Sequence, residues 1–287
     1  MTTRTLQQVI ESVPTSDGAG VKLRRSLGAA PGLRLDPFLM LDEFSSDKAE
    51  DYLAGFPAHP HRGFETVTYM LDGHMRHEDH MGNRGDLGPG DVQWMTAARG
   101  IIHSEMPQQE EGRMRGFQLW LNLPAKEKMK PAAYRDIPAA QIPAVDLPGG
   151  GRVKVIAGSA IVDGVQTAGP IQGASTEPIY FDVALPPDTP FEHALPPGHN
   201  AFLYVYEGSV TVGLRKLERY AAGVLSPGER VEAIAQSEGA RFILLAGKPL
   251  REPVVQYGPF VMNTREEIEQ AIADYRDGVL AQPRDAA

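Results

Sequence analysis

The stretch His59-Pro-His-Arg-Gly-Phe-Glu-Thr-Val67 decides how the rest of the chain is interpreted. Its two histidines are two positions apart, and a second pair with the same spacing follows in His103-Ser-Glu105. In an extended strand successive side chains point to opposite faces, so each pair places both of its side chains on one face. Two such strands brought together would direct three imidazoles and one carboxylate at a single point. The predicted metal ligands are therefore His59, His61, His103 and Glu105.

The residues that follow the first pair support this prediction. From His59 to Leu71 the odd positions are mostly apolar, and the polar exceptions are the two histidines and Glu65. This alternation predicts a strand with one buried face. Buried ionisable groups cost several kcal/mol unless they are paired or ligated, and a metal would explain why four of them meet. The alternative is that the histidines complete a hydrogen-bond network at a strand end.

The donor set limits the choice of metal. Three imidazoles and a carboxylate suit iron, manganese, nickel, copper or zinc, and raw affinity alone favours copper. Calcium and magnesium would require mostly oxygen donors. Four protein ligands on an octahedral ion leave two open positions for oxygen chemistry, whereas zinc would more naturally form a closed tetrahedron.

Composition and charge exclude several classes of function. The chain has 287 residues, which is enough for one large or two modest domains. Its 30 glycines and 24 prolines, with short apolar runs between them, predict an all-β architecture. A net charge of -9 argues against direct binding to nucleic acid. Without a long apolar run, a secretory signal or any cysteine, the sequence predicts a cytoplasmic protein with no membrane contact.

Two similar patterns divide the chain into lobes. Residues 69–73 (YMLDG) and 87–92 (LGPGDV) are matched by 204–208 (YVYEG) and 225–229 (LSPGE) at nearly the same separation. The Pro-, Ala- and Gly-rich residues between the lobes read as an extended linker. The predicted division is a metal-binding domain (1–135), a linker (136–151) and a second domain (152–287).

The C-terminal segment is the exception to the β pattern. Thr264 and Glu267 form a predicted capping box at the start of a helix. Ile268, Ile272, Tyr275 and Val279 then recur at helical spacing. We expect this face to pack onto a β lobe.

These motifs resemble the cupin superfamily, in which a small β-barrel holds a metal with His-x-His-x3-Glu and a later Gly-x2-His. More narrowly, the chain resembles the pirins, a family with two cupin barrels. The matching stretches, which lie within a resemblance that runs from about residue 5 to residue 280, are 35–44, 59–67, 90–97, 100–107 and 249–264. The resemblance implies an all-β fold of two cupin β-barrel (double-stranded β-helix) lobes with a C-terminal α-helix.

The resemblance also implies a cofactor, a function and site residues. It assigns iron, as Fe2+, to His59, His61, His103 and Glu105, with other divalent metals as alternatives. It implies quercetin 2,3-dioxygenase activity on a flavonol-like substrate, with release of carbon monoxide and with Glu105 also acting as general base. The alternative is a non-catalytic, iron-binding regulator that contacts a protein partner, either as a transcription coregulator or on a metabolic enzyme. The resemblance implies that Glu65 is not a ligand, so this carboxylate either orients a ligand imidazole or is held by backbone amides.

The remaining histidines are given no metal-binding role. His74, His77 and His80 recur every three residues in a polar stretch that favours a hairpin loop, where this spacing does not place them on one face. In the second lobe the repeat aligns non-ligands with the first-lobe positions, which predicts a metal-free cupin. Those second-lobe residues are Ala194, Pro196, Asn200 and Arg241, and nearby His193 and His199 are separated by Pro196-Pro-Gly198.

Overall fold

The computed structural model describes residues 2–30 and 32–282. Strands dominate it. In the first half of the chain they are β1 (Leu6–Glu11), β2 (Val13–Asp17), β3 (Val21–Arg25), β4 (Phe38–Ser46), β5 (Phe56–His61), β6 (Phe64–Asp72), β7 (Met75–Asp79), β8 (Arg84–Leu87), β9 (Val92–Thr96), β10 (Ile101–Pro107), β11 (Met114–Asn122) and β12 (Ala133–Ile137).

The second half continues the same way and ends in a helix. Its strands are β13 (Ala144–Asp146), β14 (Arg152–Ala157), β15 (Ser159–Val162), β16 (Val165–Ala168), β17 (Ile179–Leu185), β18 (Pro190–Ala194), β19 (Asn200–Val212), β20 (Arg215–Leu217), β21 (Ala221–Leu225), β22 (Arg230–Gly247), β23 (Val255–Tyr257) and β24 (Phe260–Met262). The helix is α1 (Arg265–Arg276), and short 3₁₀ turns occur at Ala49–Asp51, Ala125–Glu127 and Ala139–Gln141. The predicted all-β class with a C-terminal helix is confirmed.

The chain forms two compact units that do not follow chain order. The histidine lobe comprises Pro14–Arg25, Phe38–Ala139 and the segment from Leu250 onward. The apolar lobe comprises the segment up to Val13, Ser26–Pro37 and Ala140–Pro249. The division between Ala139 and Ala140 falls inside the predicted linker, but both termini are exchanged relative to the predicted contiguous domains. The division into domains of residues 1–135 and 152–287 joined by a linker stays a prediction.

Two antiparallel sheets and the two-stranded hairpin β23-β24 build the histidine lobe. One has the strand order β12-β9-β6-β11-β4-β3-β2, and the other has the order β5-β10-β7-β8. In the small sheet β10 lies between β5 and β7, so the His-Pro-His and His-Ser-Glu runs are hydrogen-bonded neighbours.

The alternation predicted over His59 to Leu71 belongs to two strands rather than one. β5 and β6 lie in different sheets, and Gly63 turns the chain between them with φ +94°. A side chain at this position would place its Cβ 1.9 Å from the Val261 carbonyl oxygen, so only glycine fits. The turn also reverses the parity: even-numbered Phe64 and Thr68 face the histidine sheet, and odd-numbered Glu65 does not.

The helix α1 completes the histidine lobe. Its capping box is confirmed, because the Glu267 amide donates to Thr264 Oγ1 and the Glu267 carboxylate accepts from the Thr264 amide. Ile268 and Ala271 pack against β24, but Ile272, Tyr275 and Val279 are 40–43% exposed. The predicted apolar face is therefore wrong at Ile272 and Val279, while Tyr275 keeps a ring contact with Phe260. The inward position that follows is Asp274, which pairs with buried Arg62.

The apolar lobe is built on a nine-stranded sheet. Its central path is β1-β21-β19-β22-β17-β14-β13, with β18 on β22 and β20 on β19. The long strand β22 pairs with β18 in its first half and with β17 in its second half. Its interior is filled by apolar side chains, including Phe181, Phe191 and Phe242.

Candidate metal centre

Three imidazoles converge on the small sheet of the histidine lobe. His103 of β10 lies opposite His59 of β5, and His61 lies opposite Ile101. One nitrogen from each of the three rings falls within 4.8 Å of the other two, and His59 Nε2 and His61 Nε2 are 3.0 Å apart. Within the described residues these three form the group of potential ligands that meets this distance. They could hold a metal, as the spacing in the sequence predicts.

Hydrogen bonds at Nδ1 orient two of these rings, His59 and His103. His59 Nδ1 lies 2.8 Å from the Pro57 carbonyl, so Nδ1 carries the proton and Nε2 keeps its lone pair. His103 Nδ1 lies 3.2 Å from His77 Nδ1, and His103 Nε2 is buried without a hydrogen-bond partner. An unpaired imidazole nitrogen in the interior is costly, and a metal would satisfy it.

Burial keeps two of these imidazoles, His61 and His103, neutral. It lowers the pKa of His61 well below its ordinary value, and the neighbouring His59 lowers it further, while the Pro259 backbone carbonyl opposes the shift. Burial likewise lowers the pKa of His103, with smaller contributions from the other histidines. Neutral imidazole is the form that ligates a metal, so proton competition at these two nitrogens is weak at neutral pH.

Glu105 is buried beside this group but is not one of the three close ligands. Its Oε1 lies 2.7 Å from Thr68 Oγ1, and its Oε2 accepts a hydrogen bond of 3.2 Å from Gln118 Nε2. The Thr68 hydroxyl also lies 2.6 Å from Gln118 Oε1, and its single proton can be donated to only one of these acceptors at a time. Glu105 as a metal ligand stays a prediction.

Aromatic rings from the large sheet surround His61. Its ring centroid lies 5.1 Å from that of Phe64 and 5.3 Å from that of partly exposed Trp120. Glu65 instead accepts a hydrogen bond of 2.6 Å from Thr96, and burial raises its pKa while bonds from Thr96 and Trp94 oppose the shift. Glu65 is thus held by these two side chains rather than by an imidazole or by backbone amides.

The loop predicted for His77 is wrong. His77 lies in β7, fully buried, directly opposite Glu105, whereas His74 is exposed and His80 begins the turn after the strand. The signal that could have found it is the alternation of buried Met75 and His77 with charged Arg76 and Glu78. The turn residues on both sides and the three-residue recurrence of histidine concealed that pattern. Thr68 and Gln118 were also missed, because nothing in their own strands marks the face that meets the histidines.

Comparison with known proteins identifies the family. The Pirin family model matches residues 20–121, and the Pirin C-terminal cupin domain matches residues 180–281. The chain belongs to the pirin family. A Pseudomonas aeruginosa protein that carries the provisional name of a quercetin 2,3-dioxygenase is 60% identical over 270 residues, covering 93% of this pirin and 95% of that protein. Human pirin is 43% identical over 268 residues, which cover 91% and 89% of the two chains.

A solved structure supports the same conclusion about the fold of this pirin. The crystal structure of quercetin 2,3-dioxygenase from Acinetobacter baumannii has a TM-score of 0.88 and 33% identity, and the match covers 97% of this chain and 99% of that one. The predicted fold of two cupin lobes is confirmed. The family supports a quercetinase-like or pirin role. Within residues 2–30 and 32–282, no helix has the length and apolar character needed to cross a membrane.

Proposed function

We propose that this pirin is an iron-dependent quercetin 2,3-dioxygenase, which cleaves the flavonol heterocycle with dioxygen and releases carbon monoxide. The observation that carries the proposal is the convergence of three imidazoles beside a buried carboxylate in the histidine lobe. Relatives that bear the name of this activity over nearly the whole chain support it.

In this proposal His59, His61 and His103 hold the metal, and Glu105 is the fourth ligand. Two of these imidazoles are kept neutral by burial, so they bind a cation without first losing a proton. When bound, iron supplies the Lewis acidity and the exchange of electrons with dioxygen that the ring cleavage requires. Phe64 and Trp120 hold the ring of His61 in place from the side of the large sheet.

Glu105 is also the proposed base for the flavonol 3-hydroxyl. Thr68 and Gln118 fix both of its oxygens, so the carboxylate is oriented before substrate arrives. When Glu105 takes the hydroxyl proton, the Thr68 hydroxyl can turn to Gln118 Oε1 and release Glu105 Oε1. The network therefore holds the carboxylate in place while leaving an oxygen able to accept a proton.

The test mixes purified, iron-loaded protein with quercetin under oxygen and measures the carbon monoxide released. The controls are metal-free protein and a His103→Ala variant treated identically. We expect carbon monoxide only from the loaded wild type. Loaded wild type that produces no carbon monoxide would overturn the dioxygenase proposal and favour the regulator. The similarity to human pirin, which covers 91% of this chain, is compatible with that alternative.

A further inference from the structure

His77 is a buried imidazole that the proposed chemistry does not use. It lies on β7 next to β10, and its ring centroid is 5.0 Å from that of His103. Its Nδ1 faces His103 Nδ1 at 3.2 Å, and its Nε2 is buried without a hydrogen-bond partner. Keeping a polar ring out of water costs free energy, and the contact with His103 satisfies only one of the two nitrogens of His77.

The protons in this pair can be placed by elimination. The two Nδ1 atoms share one hydrogen bond, so one of them carries a proton and the other accepts it. If His103 Nε2 keeps its lone pair for a metal, the His103 proton must be on Nδ1. His103 then donates to His77 Nδ1, and the proton of His77 is on Nε2. In this arrangement the hydrogen bond to His77 holds His103 in the tautomer that can ligate a metal through Nε2.

We propose that His77 is a positioning residue that orients His103 as a metal ligand through a neutral acceptor. This inference rests on the metal site of the proposed function. Ligating histidines usually donate their second nitrogen to a carboxylate, a backbone carbonyl or a water molecule. A carboxylate would raise the basicity of His103 and stabilise the more oxidised metal, whereas a neutral imidazole fixes the ring without that effect.

The test uses three substitutions of His77 and a matched histidine. His77→Asn places an amide oxygen near the position of Nδ1 and keeps a neutral acceptor, His77→Asp makes that acceptor anionic, and His77→Leu removes it. His74→Leu is the control, because His74 is exposed in the same part of the chain. Fe2+ dissociation constants are measured anaerobically by chelator competition, reduction potentials by spectroelectrochemistry, and folding by thermal unfolding without metal. None of these readouts uses quercetin.

We expect His77→Leu to raise the Fe2+ dissociation constant about 10- to 100-fold, and His77→Asn and the control to retain wild-type affinity. His77→Asp should bind Fe2+ with a lower reduction potential than His77→Asn. The proposal is overturned if the Asn variant binds as poorly as Leu, or if Asp and Asn give the same potential. If Leu does not fold, the Asp and Asn pair still decides. If the variants show these shifts but loaded wild type yields no carbon monoxide, only the dioxygenase proposal is overturned.

Discussion

At the scale of single residues, the centre combines groups that the sequence reveals with groups that it conceals. The spacing of His59, His61 and His103 predicts a shared face, because side-chain alternation in a strand is a local property. Contacts from a facing sheet are not local, so the sequence around Thr68 and Gln118 does not predict that these side chains hold Glu105. His77 is an intermediate case, since its alternation is present but confined to the five-residue strand β7.

Removing one central imidazole should abolish metal retention. His103→Ala and His61→Ala each leave two nitrogens where three converge, and among the described residues no other imidazole belongs to this group. Elemental analysis after dialysis measures the retained metal. The exposed His74→Ala variant should keep the wild-type content. Loss of metal from His74→Ala with retention in His103→Ala would contradict the assignment.

Exchanging the carboxylate for an amide should separate catalysis from binding. Glu105→Gln keeps an oxygen that can ligate and can face Thr68, but an amide is a poor base. Turnover of quercetin should therefore fall by about 100-fold or more, while the metal content falls much less. Carbon monoxide release and metal analysis are measured on the same sample. Undiminished turnover per bound metal would remove Glu105 as the base.

At the scale of elements, the sequence pattern failed to predict the turn at Gly63. Alternation on both sides of the turn reads as one strand, although β5 and β6 lie in different sheets. Gly63 is tied down by its surroundings: buried Lys128 Nζ donates to the Gly63 carbonyl at 2.6 Å, and also to Asn122 Oδ1 and the Val261 carbonyl. Those acceptors are far apart in sequence, so local periodicity could not reveal that the chain turns here.

The junction between this turn and α1 should be a sensitive point for stability. Arg62 Nη1 and Asp274 Oδ2 are 2.7 Å apart, and both side chains are at most 9% exposed. Asp274→Asn would replace the carboxylate that pairs with this buried guanidinium, which costs about 3–5 kcal/mol. Chemical denaturation of the metal-free protein measures this loss. The exposed pair Arg276–Asp277 is the control, and Asp277→Asn should leave the free energy of unfolding nearly unchanged. Equal effects from the two variants would contradict the prediction.

At the scale of the whole molecule, the first and last described elements of the chain lie in a lobe that their sequence position does not predict. β1 pairs with β21 in the apolar lobe, while β23, β24 and α1 belong to the histidine lobe. Periodicity predicts apolar contacts in these segments, correctly at Ile268 but not at Ile272 or Val279. It carries no information about which sheet covers them, so a division by chain order was the natural but incomplete expectation.

Stability should rise with pH in the alkaline range because of Lys128. Burial lowers the pKa of this lysine to about 8, although Glu252 and Glu267 oppose the shift. Between that value and its unfolded pKa of about 10.4, the unfolded chain binds a proton that the folded chain does not, so raising the pH favours folding. The gain is at most about 3 kcal/mol. Denaturation of wild type and Lys128→Met at pH 7 to 10 measures it, and a constant difference between the two curves would contradict it.

Metal should bind at one equivalent per chain, because the apolar lobe offers no comparable set of donors among its described residues. Its repeat places Ala194, Pro196, Asn200 and Arg241 at the positions of the first-lobe motif. His193 lies among aromatic rings, 5.0 Å from Phe181, and burial lowers its pKa to about 4. His199 instead lies 3.4 Å from Glu177.

A single imidazole in an apolar interior binds a metal weakly, since it supplies one donor where a stable site needs three or four. Titration of metal-free protein with Fe2+ should therefore saturate at one equivalent, and the double variant His193→Ala, His199→Ala should give the same curve. His61→Ala is the positive control, because it should remove the equivalent that the wild type binds. A second tight equivalent that disappears in the double variant would show that the apolar lobe has kept a metal site of its own.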